Sequence, residues 1–211
     1  MAKRNVRFVA TKTVAKPATV IQDKIRANCF FQSRQDRAEE TGGQVSRRTR
    51  MRRIYLDRNI LISHFSKDRA EETKRQMVGN ALGVFAELRD IQLCTSMWAI
   101  TEMVNILVSQ KKIDRGEVAE IESQLVSERR LADLKIVFLD VSPRKDYDFM
   151  EFFYHIRQGI LSYHSGVGDI IHSVIMKNNR VSDILTFDEK DDFKRIPNLT
   201  VLHPKDVKLE T

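Results

Sequence analysis

From residue 54 onward, short apolar runs alternate with longer segments whose apolar residues recur at helical spacing. One such segment carries Val118, Ile121 and Leu125 on a single helical face. Strands and helices that alternate in this way predict an α/β fold, with a mostly parallel sheet covered by helices on both faces. The predicted strands lie at 54–56, 92–95, 136–139, 183–186 and 200–202.

Polar residues and a proline mark where several of the helices begin. Asp68 is a predicted N-cap, and Ser96 is another, for a helix over 97–108 that carries Glu102 in its second turn. Ser142 followed by Pro143 predicts the start of a helix that runs to about residue 161. The predicted buried face of the helix after Asp68 consists of Met77, Ala81, Val84, Phe85 and Leu88.

Four acidic residues lie where a predicted strand ends or within the first turns of a predicted helix: Asp57, Glu102, Asp169 and Asp188. The carboxyl ends of parallel strands form the edge at which ligands bind in open α/β sheets. Carboxylates that meet at this edge repel one another unless a divalent cation neutralises them. The pattern therefore predicts a phosphodiesterase that depends on Mg²⁺ or Mn²⁺, since these ions prefer oxygen ligands.

Each acid also has an ordinary structural interpretation. Asp57 is a common residue type in turns, Glu102 alone is typical of an exposed helix, and Asp169 suits the positive end of a helix dipole. His172, three residues after Asp169, either faces the same cleft or is a structural or surface histidine, and the second interpretation is favoured because helical neighbours often share a face by chance.

Asp188 has the strongest structural alternative, because it opens an acidic run of the kind that solvent covers. The residues Thr186 and Phe187 directly before it nevertheless favour a site role for Asp188 rather than for its neighbours. Those neighbours are Glu189, Asp191 and Asp192.

The positive charge of the chain is concentrated in its first fifty residues. The formal net charge is +7, and residues 1–50 alone hold 12 lysines and arginines against four acids. Gly42 and Gly43, followed by a basic run, predict a linker near residue 50. We therefore expect a basic, flexible extension over 1–50, which binds nucleic acid by counterion release or is simply a tail, and one globular domain over 51–211.

The two cysteines, Cys29 and Cys94, lack the spacing of a zinc site or of a disulfide framework. No apolar stretch approaches the length of a membrane span. These features predict a cytoplasmic protein that does not enter a membrane.

Four motifs, in order along the chain, resemble those of the PIN-domain nucleases. They are 55–62, Thr101-Glu102 in a helix, 168–171 at a helix start, and 185–188 with Asp192-Phe193 behind it. The resemblance covers roughly residues 52–204 and, within the family, is greatest to the VapC-type toxins of toxin–antitoxin pairs.

The resemblance implies a three-layer α/β/α sandwich that cleaves RNA with a divalent metal, Mg²⁺ or Mn²⁺. It further implies that Asp57, Glu102, Asp169 and Asp188 hold the metal, with Asn59 in a supporting role. An antitoxin that inhibits the enzyme, and a homodimer, are the partners usual in this branch of the family.

One residue departs from the family pattern. Arg58 stands where the family usually has threonine or serine, and a long cation there either contacts phosphate or fills the site and weakens metal binding. Two alternatives therefore remain beside the toxin: a PIN-fold module that binds nucleic acid without cutting it, and an RNA-processing nuclease that has no antitoxin.

Overall fold

The computed structural model of this chain describes residues 51–141, 147–188 and 192–208. Its strands form one sheet in the order β3-β4-β2-β1-β5-β6. All neighbouring strands are parallel except β3 and β4, which form an antiparallel pair. The strands are β1 (Arg52–Leu56), β2 (Ile91–Thr95), β3 (Arg130–Leu131), β4 (Leu134–Phe138), β5 (Asp183–Leu185) and β6 (Thr200–Leu202). The predicted mostly parallel α/β sheet is confirmed.

Helices connect these strands in the part of the chain that the structure describes. They are α1 (Arg58–Phe65), α2 (Glu72–Glu87), α3 (Met97–Ser109), α4 (Arg115–Val126), α5 (Phe149–Tyr163) and α6 (Val167–Asn178). Short 3₁₀ turns lie at Arg69–Glu71, Phe193–Arg195 and Pro204–Asp206. None of the helices in these described stretches has the length and apolar character needed to cross a membrane.

The order of the strands fixes where a ligand site can form. After β1 the chain continues to β2, which lies beside β1 on the side away from β5. After β5 it continues to β6, which lies on the opposite side of the sheet order. Right-handed crossovers then place α1 to α4 on one face of the sheet and α5 and α6 on the opposite face. The direction reverses between β1 and β5, so a crevice opens outside the carboxyl ends of these two strands.

The central strand is buried on both faces, as expected for a parallel sheet between two helical layers. Ile54, Tyr55 and Leu56 at the end of β1 have almost no exposed surface. On α3 and α4 the predicted periodicity is confirmed, because Met103, Leu107 and the helical face of 118–125 are buried. The core thus holds the carboxyl end of β1 rigidly in the middle of the sheet.

Two of the helix predictions need correction. The helix expected from Ser142 to about residue 161 begins only at Phe149, where the Asp148 side chain accepts a hydrogen bond of 2.7 Å from the Glu151 amide. Tyr147 and Asp148 are described and are not helical, so a continuous helix through them is wrong. The Ser142-Pro143 start itself, like the whole 1–50 extension, lies outside the described residues.

The second correction concerns the buried face of α2. The buried residues are Val78, Ala81, Leu82 and Phe85, so the face is turned relative to the predicted one. Leu88 lies beyond the end of the helix and is exposed. Val78 and Leu82 are buried because α2 packs against α1, a tertiary contact that local spacing does not specify.

Close packing of α5 on α6 predicts a pair of substitutions with opposite effects. A Cβ atom at Gly159 would lie 2.6 Å from Cγ2 of the fully buried Ile170, whereas a Cβ at Gly83, in the interior of α2, meets nothing within 4 Å. We expect Gly159→Ala to lower the free energy of unfolding by about 1–3 kcal/mol through overpacking. Gly83→Ala should raise it by about 0.5–1 kcal/mol, because alanine favours the helix.

Urea unfolding of the full-length protein at 25 °C measures both values. Equal effects of the two alanines would contradict the close approach of α5 to α6 at this position.

Candidate metal centre at the carboxyl edge of the sheet

Asp57 and Thr186 join the ends of the two strands that flank the crevice. Asp57 follows β1 as the N-cap of α1, and its Oδ1 accepts a hydrogen bond from the Arg58 amide at 2.6 Å. Its Oδ2 accepts another from Thr186 Oγ1, directly after β5, at 2.7 Å. Asp57 as a whole is 3% exposed. The end of β1 is thus tied to the end of β5 through a buried acid.

The Thr186 hydroxyl uses its full hydrogen-bonding capacity at this junction. Besides donating to Asp57, Oγ1 accepts from Asn59 Nδ2 at 2.8 Å and from the Asp188 amide at 3.0 Å. Asn59 Oδ1 in turn accepts from the Phe187 amide at 3.1 Å. A hydroxyl can donate once and accept twice, so no capacity is left over. Asn59 and Thr186 together fix the backbone that carries Asp188.

Three carboxylates come together beside this junction. Asp169, in the first turn of α6, Asp188 and Asp192 each have an oxygen within 4.8 Å of the others. Burial, and then the negative charges of Asp188 and Asp57, raise the pKa of Asp169 to about 6. The nearby Arg58 and His172 lower this pKa, but they do not cancel the combined effect of burial and of the two carboxylates.

Glu102 has a different environment. Its Oε1 accepts from Arg58 Nη1 at 2.7 Å, and its Oε2 accepts from His172 Nε2, also at 2.7 Å. Burial opposes ionisation most strongly, but the contacts with His172 and Arg58 outweigh it and lower the pKa of Glu102. This acid is therefore already neutralised by side chains of the protein, and it is not part of the three-carboxylate group.

His172 connects Glu102 to the core. The imidazole is completely buried on α6, its Nδ1 lies 2.8 Å from the Tyr55 hydroxyl, and that hydroxyl lies 2.6 Å from Ser96 Oγ. Because a carboxylate oxygen can only accept, the proton between His172 and Glu102 is carried by Nε2. His172 Nε2 also lies 3.6 Å from Asp57 Oδ1.

The structure brings Asp57, Asp169 and Asp188 to one edge, with Asn59 beside them, as the sequence predicts. Glu102 reaches the same edge but turns its carboxylate to Arg58 and His172. Whether these residues bind a metal or take part in catalysis stays a prediction.

Sequence reasoning missed two participants. Asp192 joins the acidic group, although the acidic run was assigned to Asp188 alone. His172 contacts the site rather than serving only as a structural histidine. A tyrosine in a buried strand needs a hydrogen-bond partner, and Tyr55 was the signal that could have revealed His172.

The donor atoms of this edge suit a hard divalent cation. Asp57, Asp169, Asp188 and Asp192 offer carboxylate oxygens and no nitrogen or sulfur, the set that Mg²⁺ and Mn²⁺ prefer. Burial raises the pKa of Asp169 most, and repulsion by the carboxylates of Asp188 and Asp57 raises it further. A bound cation would remove this repulsion.

Fold and edge together define a class: an α/β protein with a doubly wound, mostly parallel sheet and an acidic, oxygen-lined crevice at its switch point. No protein-family model matches the chain. No curated protein matches it either.

Among solved structures, the VapBC2 complex of Rickettsia felis, bound to a DNA fragment from its promoter, contains a similar chain. The match has 18% identity and a TM-score of 0.47, and covers 72% of this chain and 98% of the other. VapC20 of Mycobacterium tuberculosis, a toxin that cleaves the sarcin-ricin loop, matches with 13% identity and a TM-score of 0.42, over 68% of this chain and 95% of its own. At these values the likeness concerns only the outline of the fold.

The hydroxyl of Thr186 should contribute measurably to stability. In Thr186→Val, Asp57 Oδ2, Asn59 Nδ2 and the Asp188 amide each lose a partner. We expect the free energy of unfolding to fall by about 1–3 kcal/mol, because buried polar groups are left unsatisfied. Thr101→Val is the matched control, since this exposed hydroxyl donates only to the Met97 carbonyl.

The control should change the free energy of unfolding by less than about 0.5 kcal/mol. Urea unfolding decides between the two outcomes, and equal values for the two valines would contradict the central role of Thr186.

Asp169 should make stability depend on pH. Its pKa of about 6 in the folded protein is above the usual 3.8, so the folded state binds more protons between these values and loses stability as the pH rises through them. Asp169→Asn removes this loss. We expect the variant to be more stable than the wild type by about 1–3 kcal/mol at pH 7.5 without metal.

At pH 4, where the wild-type carboxyl is mostly protonated, the difference should disappear. Urea unfolding at both pH values, in the presence of a chelator, provides the test. A variant that is less stable than the wild type at pH 7.5 would contradict the repulsion described above.

Proposed function

We propose that this protein is a metal-dependent endoribonuclease of the PIN type, and that it is the toxin of a toxin–antitoxin pair. The observation that carries the proposal is the convergence of Asp57, Asp169 and Asp188 outside the carboxyl ends of β1 and β5, where burial and then the charges of Asp188 and Asp57 raise the pKa of Asp169. The order of the sequence motifs supports RNA as the substrate. The all-oxygen donor set supports Mg²⁺ or Mn²⁺ as the cofactor.

In this proposal the acids bind the ion, and Asn59 has a supporting role because it positions the acids. Asp57, Asp169 and Asp188 are the principal ligands, and Asp192 is added to them by its position. Asn59 keeps the Asp188 backbone in place through Thr186 and Phe187. Glu102 joins the ligands once it is released from Arg58.

The chemistry proposed for the site is hydrolysis of a phosphodiester bond. A bound divalent ion supplies charge stabilisation for the phosphate and lowers the pKa of a coordinated water. The carboxylate oxygens of the edge can only accept hydrogen bonds, so they orient the O–H groups of the attacking water. The Thr186 and Asn59 contacts hold these acids fixed, which avoids reorganisation during the reaction.

An exposed apolar surface supports the proposed antitoxin partner. Phe149, Met150, Phe153 and Leu161 on α5 are each more than half exposed, and so is Val167 at the start of α6, two residues before Asp169. Large exposed apolar side chains of this kind are typical of surfaces that another protein covers. A partner bound along α5 would reach the acidic edge at Val167. The predicted homodimer awaits a measurement of mass in solution.

The binding module without catalysis is kept as the second candidate, because one observation favours it. Arg58 occupies Oε1 of Glu102, one of the acids proposed to hold the metal. If this ion pair never opens, the edge lacks a ligand and binds nucleic acid without cutting it.

The test uses the full-length protein, total RNA and a set of RNA oligonucleotides, with Mn²⁺, with Mg²⁺ or with a chelator. We expect discrete cuts that require the metal. Asp188→Asn should lower the cleavage rate by about a hundredfold or more, since it removes a charge that holds the ion. Asp90→Asn, an exposed acid at the opposite edge of the sheet, is the matched control and should stay within about twofold of the wild type.

Binding of Mn²⁺, measured separately by calorimetry, distinguishes the candidates. Intact RNA together with bound Mn²⁺ or bound RNA would favour the binding module. Intact RNA and no Mn²⁺ binding, in a protein shown to be folded, would exclude the nuclease.

A further inference from the structure

Arg58 is the internal counter-ion of the acidic edge. Its Nη1 donates to Glu102 Oε1 at 2.7 Å, the one hydrogen bond that the guanidinium makes among the described residues. Burial disfavours its charge, but Glu102, Asp57 and Asp169 together raise the pKa of Arg58 above its usual value. The guanidinium thus bonds to one acid while it lies in the field of the others.

A glycine makes room for this ion pair. A Cβ atom at Gly168 would lie 2.8 Å from Glu102 Oε1 and 3.1 Å from Arg58 Nη1. Any larger residue at this position would push the pair away from the first turn of α6. The ion pair is therefore packed directly against the residue that precedes Asp169.

The two partners of Glu102 differ in their freedom to leave. His172 is completely buried and is held from behind by Tyr55, so its contact with Oε2 is fixed. The Arg58 side chain is 33% exposed, long, and attached to the first residue of α1. Of the two groups that occupy Glu102, only Arg58 can move away without disturbing the core.

We propose that Arg58 exchanges partners: it neutralises Glu102 in the resting protein, releases that carboxylate to the divalent ion, and then binds a phosphate of the RNA strand. This inference rests on the proposed function, because the exchange requires both an ion and an RNA substrate. It assigns to Arg58 a substrate-binding role and a control of metal affinity that a threonine or serine at this position could not provide.

The chemistry of the guanidinium supports the second half of the exchange. Its planar fork matches the two oxygens of a carboxylate and the two free oxygens of a phosphodiester equally well. Only one of its five N–H groups is used by Glu102 in this structure, so a bidentate contact with phosphate offers more bonds than the resting contact does. The phosphate that it binds would lie next to the acids that hold the ion.

The experiment measures Mn²⁺ affinity and RNA cleavage on the full-length protein with Arg58→Gln, which removes the charge. Mn²⁺ affinity, from the free-ion signal in electron paramagnetic resonance, should rise by about three- to tenfold, because Glu102 no longer has a competing cation. At saturating Mn²⁺, kcat/KM for an RNA oligonucleotide should fall by about tenfold or more, because the phosphate contact is lost. The two readouts thus move in opposite directions.

Two further variants separate the alternatives. Arg58→Lys keeps the charge and loses the fork, so it should leave Mn²⁺ affinity within about twofold and still lower kcat/KM. Arg52→Gln is the matched control, because Arg52 also pairs with an aspartate, Asp183, at 2.9 Å, but at the opposite edge of the sheet. It should change neither value by more than about twofold.

Each other result overturns the inference. Unchanged Mn²⁺ affinity in Arg58→Gln would make the ion pair purely structural, and a rise in cleavage at saturating Mn²⁺ would make Arg58 only an obstruction. A wild-type protein that neither binds Mn²⁺ nor cuts RNA would remove the proposed function and this inference together. A wild type that does both, beside an Arg58→Gln variant that lacks the opposite shifts, would remove the inference alone.

Discussion

The hydrogen bond from Thr186 to Asp57 joins two neighbouring parallel strands at the place where their connections diverge, and the acidic edge depends on it. Parallel strands leave their carboxyl ends unconnected to each other, so some contact must hold them in register beyond the last backbone hydrogen bond. Thr186 provides that contact through a single hydroxyl that also fixes Asn59 and the Asp188 amide. The backbone of β1, α1 and the segment after β5 therefore meets in one saturated polar junction, and the acids extend from it with little freedom.

The charges of the edge are divided into two parts that behave differently. Glu102 is balanced by Arg58 and His172, which lower its pKa. Asp169 is buried and faces other carboxylates, and burial together with their charges raises its pKa to about 6. A protein that needed only stability would pair both groups, because an unbalanced buried acid costs free energy. The unbalanced part is consistent with a ligand that supplies positive charge.

The sequence was sufficient to predict five of the six strands and the positions of the acids, because both depend on local patterns, whereas the two-residue strand β3 was not predicted. An apolar run followed by an acid located Asp57 at the end of β1, and a glycine before an acid located Asp169 in the first turn of α6. The predictions that failed concern features that depend on tertiary contacts. The direction of the Glu102 carboxylate is decided by Arg58 and His172, which lie 44 and 70 residues away in the chain. No sequence pattern around Glu102 predicts either partner.

The buried contact between His172 and Glu102 also limits how sequences related to this one can vary. The imidazole of His172 is completely buried, so its Nε2–H needs a hydrogen-bond acceptor within the protein. The Glu102 carboxylate is that acceptor. Replacing the glutamate by an apolar residue would leave a buried N–H without a partner, and replacing the histidine would leave the carboxylate partly buried without its donor. A substitution at one of these positions is therefore tolerated only with a compensating substitution at the other. In any set of relatives the two positions should be inherited as a pair, even though 70 residues of sequence separate them.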